Sequence, residues 1–477
     1  MRIALVQPIF EKLIDPTIDP PLGLLILAQI LRREGHNVQV FSDNDFSTSP
    51  CLGGDCGVCE AKGAPCLGKN PPPPNPPTPN PPTPLVRGEV RGGDRGDCGV
   101  CVPSGGKVGA SEGRGDKAKG APFDSRLLAF DCVGISFTTP VAYRSYKLAD
   151  QLRTKGIKTI GGGAHVSALP DEALEHFDAV VIGEGESVIS AAIAGAGKYY
   201  GFPLDSFENP AWDLYQFSQT RTLSGMPAIM IETSRGCNYH CAFCNSSVLS
   251  KVLRYKPLVQ IEAEVKWLMS KGYKAFKITD DDFTADEVRA SQIAEMFGNL
   301  GVKYRVFSHI RGMSYDFAKH LLETGCVSCG VGIETCDDWL LKLMNKPQRY
   351  RDIESGLVEL DKAGLQARLF LIVGFPGETD ESIEITISRL GKLPWHSYAC
   401  FSCIPYPGTR LFAEPARYGI TYISRNWDEY AQIDKDNNVP YLMDTDSFSR
   451  DDVRRRRERI VAELGMSRTG IRAGQNV

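Results

Sequence analysis

Apolar positions along this chain fall into two stretches, and each stretch repeats one unit. In residues 1–45, RIALVQP is a continuous apolar run. LGLLILAQILRREG has the 3.6-residue spacing of a helix and stops at Gly35, and NVQVFSD is β-branched and alternating. These read as strand, glycine-capped helix and strand. The pattern resumes at 126 with CVGISF (132–137), a buried strand, and AYRSYKLADQLRTKG, an amphipathic helix. KTIGGGAH follows, then AVVIGEGE (179–186), each a strand running into glycines. Residues 1–200 therefore predict a doubly wound parallel sheet, Rossmann-like, with right-handed crossovers. Ligands bind such sheets beyond the carboxyl ends of the strands, where GGGAH and GEGE fall.

After a linker over 201–225, a second alternation begins at 226. Its strands are AIMIETS, YKAFKITD, YRVFSHI, CVSCGVGIE, ARLFLIVGF and SYACFSCIP. The helices between them carry apolar residues such as Ile261, Val265 and Leu268 on one face. Six strand–helix units predict a partial (β/α)6 TIM-like barrel over 226–410, with its site at the C-terminal strand ends. Residues 411–477 read as a small helical region. Its basic run, DDVRRRRERIVAEL, is interleaved with acids and predicts a solvated helix face.

The stretch 46–125 breaks both patterns. It holds PPPPNPPTPNPPTP (71–84) and repeats itself, with GDCGVC at 54–59 and 96–101 and AKGAP at 61–65 and 118–122. It reads as a low-complexity insertion into the first domain with a polyproline II core. Its two C-x2-C pairs, Cys56–Cys59 and Cys98–Cys101, have zinc-ribbon spacing. Duplication of the repeat accounts for that spacing equally well.

Charge and composition narrow the function. A net charge of −4 favours neither nucleic acid nor a membrane surface as partner. MRIALVQPIF is too short an apolar run for a signal peptide, and no window has the length of a membrane span. The 15 cysteines are clustered and odd in number, which suits a reducing, cytoplasmic setting and metal or redox work rather than disulfides. Cys326 and Cys329 could form a redox pair or serve as core thiols.

One cluster stands apart. ETSRGCNYHCAFCNSS (232–247) places Cys237, Cys241 and Cys244 in the spacing C-x3-C-x2-C, just after the first barrel strand. A structural zinc site needs four ligands, and an electron-transfer 4Fe–4S cluster takes four thiolates. His240 could complete a tetrahedral set only by crowding the loop. Three thiolates leave one iron of a 4Fe–4S cluster open to a substrate.

With Phe243 before the last cysteine, this segment resembles the radical S-adenosylmethionine superfamily, and the first domain is similar to that of its cobalamin-binding class. PPLGLLILAQIL (20–31), GGGAHVSALP (161–170) and GEGE (183–186) carry the second likeness. The resemblance implies a 4Fe–4S cluster on the three cysteines, with S-adenosylmethionine on the open iron. It implies cofactor contacts from Asp280 and Asp281 in TDDDF (279–283), which stands where the family more often has glycine-glycine-glutamate. It implies further contacts from Arg311 to the methionyl carboxylate, Glu334 to the ribose hydroxyls, and Gly374 and Gly377 in VGFPGET (373–379) along the adenine edge. PYPGT (405–409) matches the sixth strand end of the same group. For cobalamin it implies Gly161, Gly162, Gly163, Gly183 and Glu184. The loop after the first strand lacks the Asp-x-His-x-x-Gly motif, so cobalt has no histidine from it; His36 and His165 lie elsewhere.

The chemistry implied is reductive cleavage of S-adenosylmethionine to a 5′-deoxyadenosyl radical, followed by modification of an unactivated carbon, above all C-methylation through methylcobalamin. Its partners would be a small-molecule substrate and an external one-electron reductant such as flavodoxin or ferredoxin. Two other readings remain. One is a radical enzyme of another type, cyclising or rearranging, whose first domain binds substrate. The other is a non-enzymatic iron–sulfur sensor. No catalytic side chain and no substrate can be named from the sequence.

Overall fold

The computed structural model describes residues 1–8, 21–42, 125–217, 221–250, 252–431 and 440–465. The repeats, proline run and C-x2-C pairs of the 46–125 insertion lie outside these residues, as does most of the loop after the first strand.

The first sheet has six parallel strands: β1 (Arg2–Gln7), β2 (Asn37–Ser42), β3 (Cys132–Ser136), β4 (Lys158–Gly162), β5 (Ala179–Ile182) and β6 (Gly197–Tyr200). The order is β2-β1-β3-β4-β5-β6. The chain therefore turns back across β1, and the crevice between β1 and β3 is the topological switch point. The interior of β1, Ile3 to Val6, is buried, as a parallel strand covered on both faces requires. The helix Leu22–Arg33 buries Leu24, Leu25, Ala28 and Leu31 and ends before Gly35, whose φ of +87° permits the left-handed turn. The sixth strand was not expected. GKYY is short and lacks apolar alternation, and it pairs along β5.

The second sheet contains β7 (Thr222–Leu223) and β8 (Met226–Ile231) as a hairpin. Its two turn residues, Ser224 and Gly225, both have positive φ. Outside this sheet, β9 (Ser234–Arg235) pairs with β10 (Arg254–Tyr255) around the cysteine loop. The sheet continues with β11 (Ala275–Ile278), β12 (Lys303–Ser308), β13 (Cys326–Glu334), β14 (Gln366–Val373) and β15 (Ser397–Ser402). From β8 to β15 the strands lie side by side in sequence order, all parallel, and the sheet stays open at both edges. This is the expected six-unit partial barrel. Register slips between Gly332 and Glu334, so a bulge closes β13.

The C-terminal region is less purely helical than expected. β16 (Ile420–Ile423) and β17 (Met443–Thr445) form an antiparallel pair before the helix Arg450–Leu464. Ser449 and Asp452 cap that helix reciprocally. All described residues belong to one compact unit, so the two sheets are packed together. A small core of Ala242, Leu340, Met344, Phe375, Cys403 and Leu411 lies beside the cysteine loop.

Candidate active site at the barrel mouth

Backbone bonds fix the cysteine loop. The Ala242 N–H donates to the Met344 carbonyl at 2.9 Å, and the Ala242 carbonyl accepts from Leu411 N–H at 3.4 Å. Phe243 meets Phe375 edge to face at 6.5 Å, which couples the loop to VGFPGET. Cys237, Cys241 and Cys244 are free and partly exposed. Burial raises the Cys237 thiol and pushes Cys241 up to about 12, with Lys346 opposing at Cys241. Iron binding would displace these protons. Among the described residues no three His, Cys, Asp or Glu side chains are grouped about a single point. His240 is exposed and its carbonyl accepts from Asn345 Nδ2 at 2.7 Å. The donor set, three thiols on one loop beside the Lys346 ammonium, fits a 4Fe–4S cluster, whose ligands take separate irons.

The candidate S-adenosylmethionine residues divide into two groups. Arg311 and Glu334 face the loop or its supports. Arg311 Nη2 donates to the Tyr239 hydroxyl at 3.3 Å, and Tyr239 lies between Cys237 and Cys241. Glu334, 6% exposed, sits at the β13 bulge with φ +61° and accepts from Lys346 Nζ at 2.9 Å. Asp281 is exposed and accepts from Ser246 Oγ at 2.7 Å, itself 3.4 Å from Cys244 Sγ.

The others are engaged by the protein. Asp280 accepts from Thr233 N–H at 2.7 Å, Thr233 Oγ1 at 2.5 Å and Ser234 Oγ at 2.6 Å. Burial raises its carboxyl to about 6 against these bonds. It tethers the strand that leads into the cysteine loop. A Cβ at Gly374 would meet Val453 at 2.5 Å, and one at Gly377 would meet Leu343 at 2.7 Å. Protein atoms therefore occupy the space a side chain would take at both positions, and both glycines have positive φ, so only glycine suits this loop.

Sequence reasoning missed Lys346 and His309. Lys346 follows β13 by twelve residues and belongs to no motif. His309, just past β12, is 6% exposed and lies against Tyr239, the ring centroids 4.8 Å apart and the planes tilted by 45°. Its Nδ1 accepts from Arg311 N–H at 3.2 Å, so the neutral ring carries its proton on Nε2. That buried Nε2 has no hydrogen-bond partner among the described residues. Burial lowers His309 to about 3 and keeps the ring neutral. Cys326 and Cys329 are separately engaged core thiols: Cys329 Sγ lies 2.8 Å from Ser308 Oγ, and Cys326 Sγ donates to Ser328 O at 3.5 Å.

In the first domain, a Cβ at Gly161 would meet Phe177 at 2.9 Å and one at Gly163 the Phe137 carbonyl at 2.6 Å, whereas Gly162 has open space. Gly183 has φ +80°. Glu184, 7% exposed, is bound by Arg235 Nη1 at 2.9 Å and by Arg254. Burial opposes its ionisation, but the Arg254 and Arg235 guanidiniums outweigh it and hold the carboxyl below the usual range. Arg235 also binds Glu186 at 2.6 Å and Glu232 at 2.8 Å. GEGE is thus the joint between the first sheet and the cysteine loop. His165 is fully buried, with Nδ1 on Thr139 Oγ1 at 3.2 Å and Nε2 on Tyr146 OH at 3.0 Å. Both ring nitrogens of His165 are thus engaged within the protein. The two regions meet across a cavity of about 410 Å³, lined by Cys241, Cys244 and His240 from the barrel, Ser167 and Ala168 after β4, and the Gly408–Arg410 loop.

Two family descriptions match: Radical SAM superfamily over residues 231–390 and B12 binding domain over 124–193. An uncharacterized methyltransferase of Pyrococcus horikoshii is 29% identical over 338 residues, 64% of this chain and 73% of that protein. The bacteriochlorophyllide d C-8(2)-methyltransferase of Chlorobaculum tepidum is 24% identical over 330 residues, 63% and 71% of the two chains. The fold is shared with the radical S-adenosylmethionine methyltransferase TsrM of Kitasatospora setae with cobalamin and [4Fe-4S] cluster bound. That likeness has a TM-score of 0.64 at 16% identity and covers 99% of this chain and 93% of that one. The cobalamin-dependent radical enzyme OxsB matches at a TM-score of 0.52 and 14% identity, covering 82% of this chain and 52% of that one. The three-cysteine loop at the barrel mouth, the B12-binding sheet packed against it and these likenesses agree: the chain joins a radical S-adenosylmethionine domain to a B12-binding domain, and the cofactors of that pair are a 4Fe–4S cluster, S-adenosylmethionine and cobalamin.

Proposed function

We propose that this enzyme is a C-methyltransferase that methylates an unactivated carbon of a small molecule. The observation that carries the reading is the shared cavity, where Cys241 and Cys244 face Ser167 and Ala168 of the B12-binding domain. A methyl relay needs the two cofactors in one enclosure, and a non-enzymatic sensor does not. Two relatives are named as methyltransferases, which favours methylation over cyclisation or rearrangement.

When bound, the cofactors supply the electron, the radical and the methyl group. The protein's residues hold and orient them. Cys237, Cys241 and Cys244 ligate the cluster. Arg311 faces the site with a guanidinium suited to a carboxylate. Glu334 is aimed from the β13 bulge at hydroxyls, with Lys346 balancing its charge. His309 offers a buried N–H. Gly162, with open space above it, borders the corrin, while Gly161, Gly163, Gly183 and Glu184 shape the loops on either side of it. Asp281 lies beside Cys244 on the cofactor side of the loop. Asp280, Gly374 and Gly377 act through the loops they shape.

All nine cysteines among the described residues are free, which suits a reducing cytoplasm. No helix among these residues is long and apolar enough to cross a membrane. A flavodoxin or ferredoxin would supply the electron.

The test is oxygen-free purification from cells fed cobalamin, with metal quantitation. About four irons and about one cobalt per chain are expected. S-adenosylmethionine and reductant should then yield 5′-deoxyadenosine and methylcobalamin. Iron without cobalt would sink the methyl-relay reading.

A further inference from the structure

The C-terminal helix Arg450–Leu464 has the sequence of a solvated surface helix, with four consecutive arginines at 454–457. The structure separates them. Arg454 and Arg455 lie outside, paired with Asp451, Asp452 and Asp380. Arg456 is 7% exposed, on the same face as the buried Val453, Ile460 and Leu464. An arginine on the packed face of a helix costs desolvation unless its partners are fixed in place.

Those partners lie in the loop after β14 and at the first residue of the helix Asp380–Leu390 that follows it. Arg456 Nε donates to Asp380 Oδ1 at 2.7 Å. Its Nη1 donates to the Glu378 carbonyl at 3.1 Å and lies 3.6 Å from Glu378 Oε1. The other Glu378 oxygen, Oε2, accepts from Gly374 N–H at 3.0 Å. Val453, one turn earlier on the helix, fills the space where Gly374 would carry a Cβ. One helix therefore holds one loop twice, through packing at Gly374 and through hydrogen bonds to the Glu378 carbonyl and Asp380. The residue after Gly374 is Phe375, whose ring meets Phe243, next to Cys244. The contacts run without a gap from the C-terminal helix to the cysteine loop.

We propose that the helix Arg450–Leu464 is the outer wall of the S-adenosylmethionine site, and that Arg456 is a positioning residue that holds VGFPGET in its binding shape. This rests on the reading that S-adenosylmethionine lies at the barrel mouth. The helix acts through the loop it touches, so its effect falls on affinity for S-adenosylmethionine rather than on cluster assembly or cobalamin loading.

The experiment titrates S-adenosylmethionine into the reduced, cobalamin-loaded enzyme and follows the electron paramagnetic resonance signal of the cluster. Arg456→Lys keeps the charge but loses the planar fork. It should shift the titration midpoint about tenfold higher, the size of one lost charge-assisted bond, with iron and cobalt contents unchanged. Val453→Ala removes only the packing contact and should shift the midpoint in the same direction by a smaller factor. A lower melting temperature with the wild-type midpoint in both variants would mean a purely structural helix and would overturn the proposal. A wild-type signal that never responds to S-adenosylmethionine would overturn the reading of the site itself.

Discussion

Glu184 and Asp281 each sit just past the carboxyl end of a parallel strand, one in each sheet. Glu184 is bound by Arg235 and Arg254 and is 7% exposed. Asp281 is exposed beside Cys244's neighbour Ser246. The contrast extends to what surrounds them. The GEGE loop closes on itself and on Arg235, and most of the room near its glycines is taken. The barrel mouth keeps three free thiols, an exposed guanidinium at Arg311 and a buried His309 N–H without a partner among the described residues. A buried donor left unpaired costs free energy, so it persists where a ligand completes it. The same strand-end position thus serves as a fastener in one sheet and as an open valence in the other.

The largest expected effect tests the open side. Replacing Cys237, Cys241 or Cys244 with Ala should bring formation of 5′-deoxyadenosine to background while the far-ultraviolet circular dichroism spectrum stays unchanged. Turnover in any one of them would break the contrast at its centre. The fastened side should answer oppositely. Arg235→Met leaves Glu184, Glu186 and Glu232 together without their shared cation. We expect a loss of about 3 kcal/mol or more in denaturant unfolding, the cost of breaking a buried ion pair. A variant as stable as wild type would show that the joint is dispensable.

A smaller effect is set by pH. Burial raises Glu378 to about 8, opposed by the Gly374 N–H and Arg456. The folded state thus holds this proton more tightly than the unfolded chain, whose carboxyl titrates near 4.5. The stabilisation is full below about pH 4.5 and is lost as pH rises toward 8, by at most about 1.4 kcal/mol per unit. Glu378→Gln should flatten that fall in a melting-temperature profile, and an unchanged slope would count against the assignment. The smallest effect belongs to Gly162→Ala, which has room for its methyl group. Stability should stay within about 0.5 kcal/mol of wild type. Cobalt content then decides whether Gly162 borders the corrin.

The strands were legible because parallel strands buried on both faces write long apolar runs. The three thiols were legible because their spacing is local. β6 was not, since GKYY owes its place to pairing along β5 rather than to its own pattern. Lys346 and Arg456 were hidden for a related reason. A lysine near a helix end and an arginine in a basic run look solvated in one dimension, and only the packed structure turns them inward. Asp280 was placed correctly at its strand end, but the hydroxyls of Thr233 and Ser234, 47 and 46 residues away, could not be read as its partners.

Glu334 holds its backbone at φ +61°, a conformation that disfavours every side chain but glycine's least. Such a residue costs about 1–3 kcal/mol to hold. Glycine at 334 would relieve that strain and remove the carboxylate in the same step. It would also leave the buried Lys346 ammonium without its partner, a cost at least as large as the strain relieved. A library screened for heat resistance and one screened for turnover would therefore keep glutamate at the same codon, for different reasons.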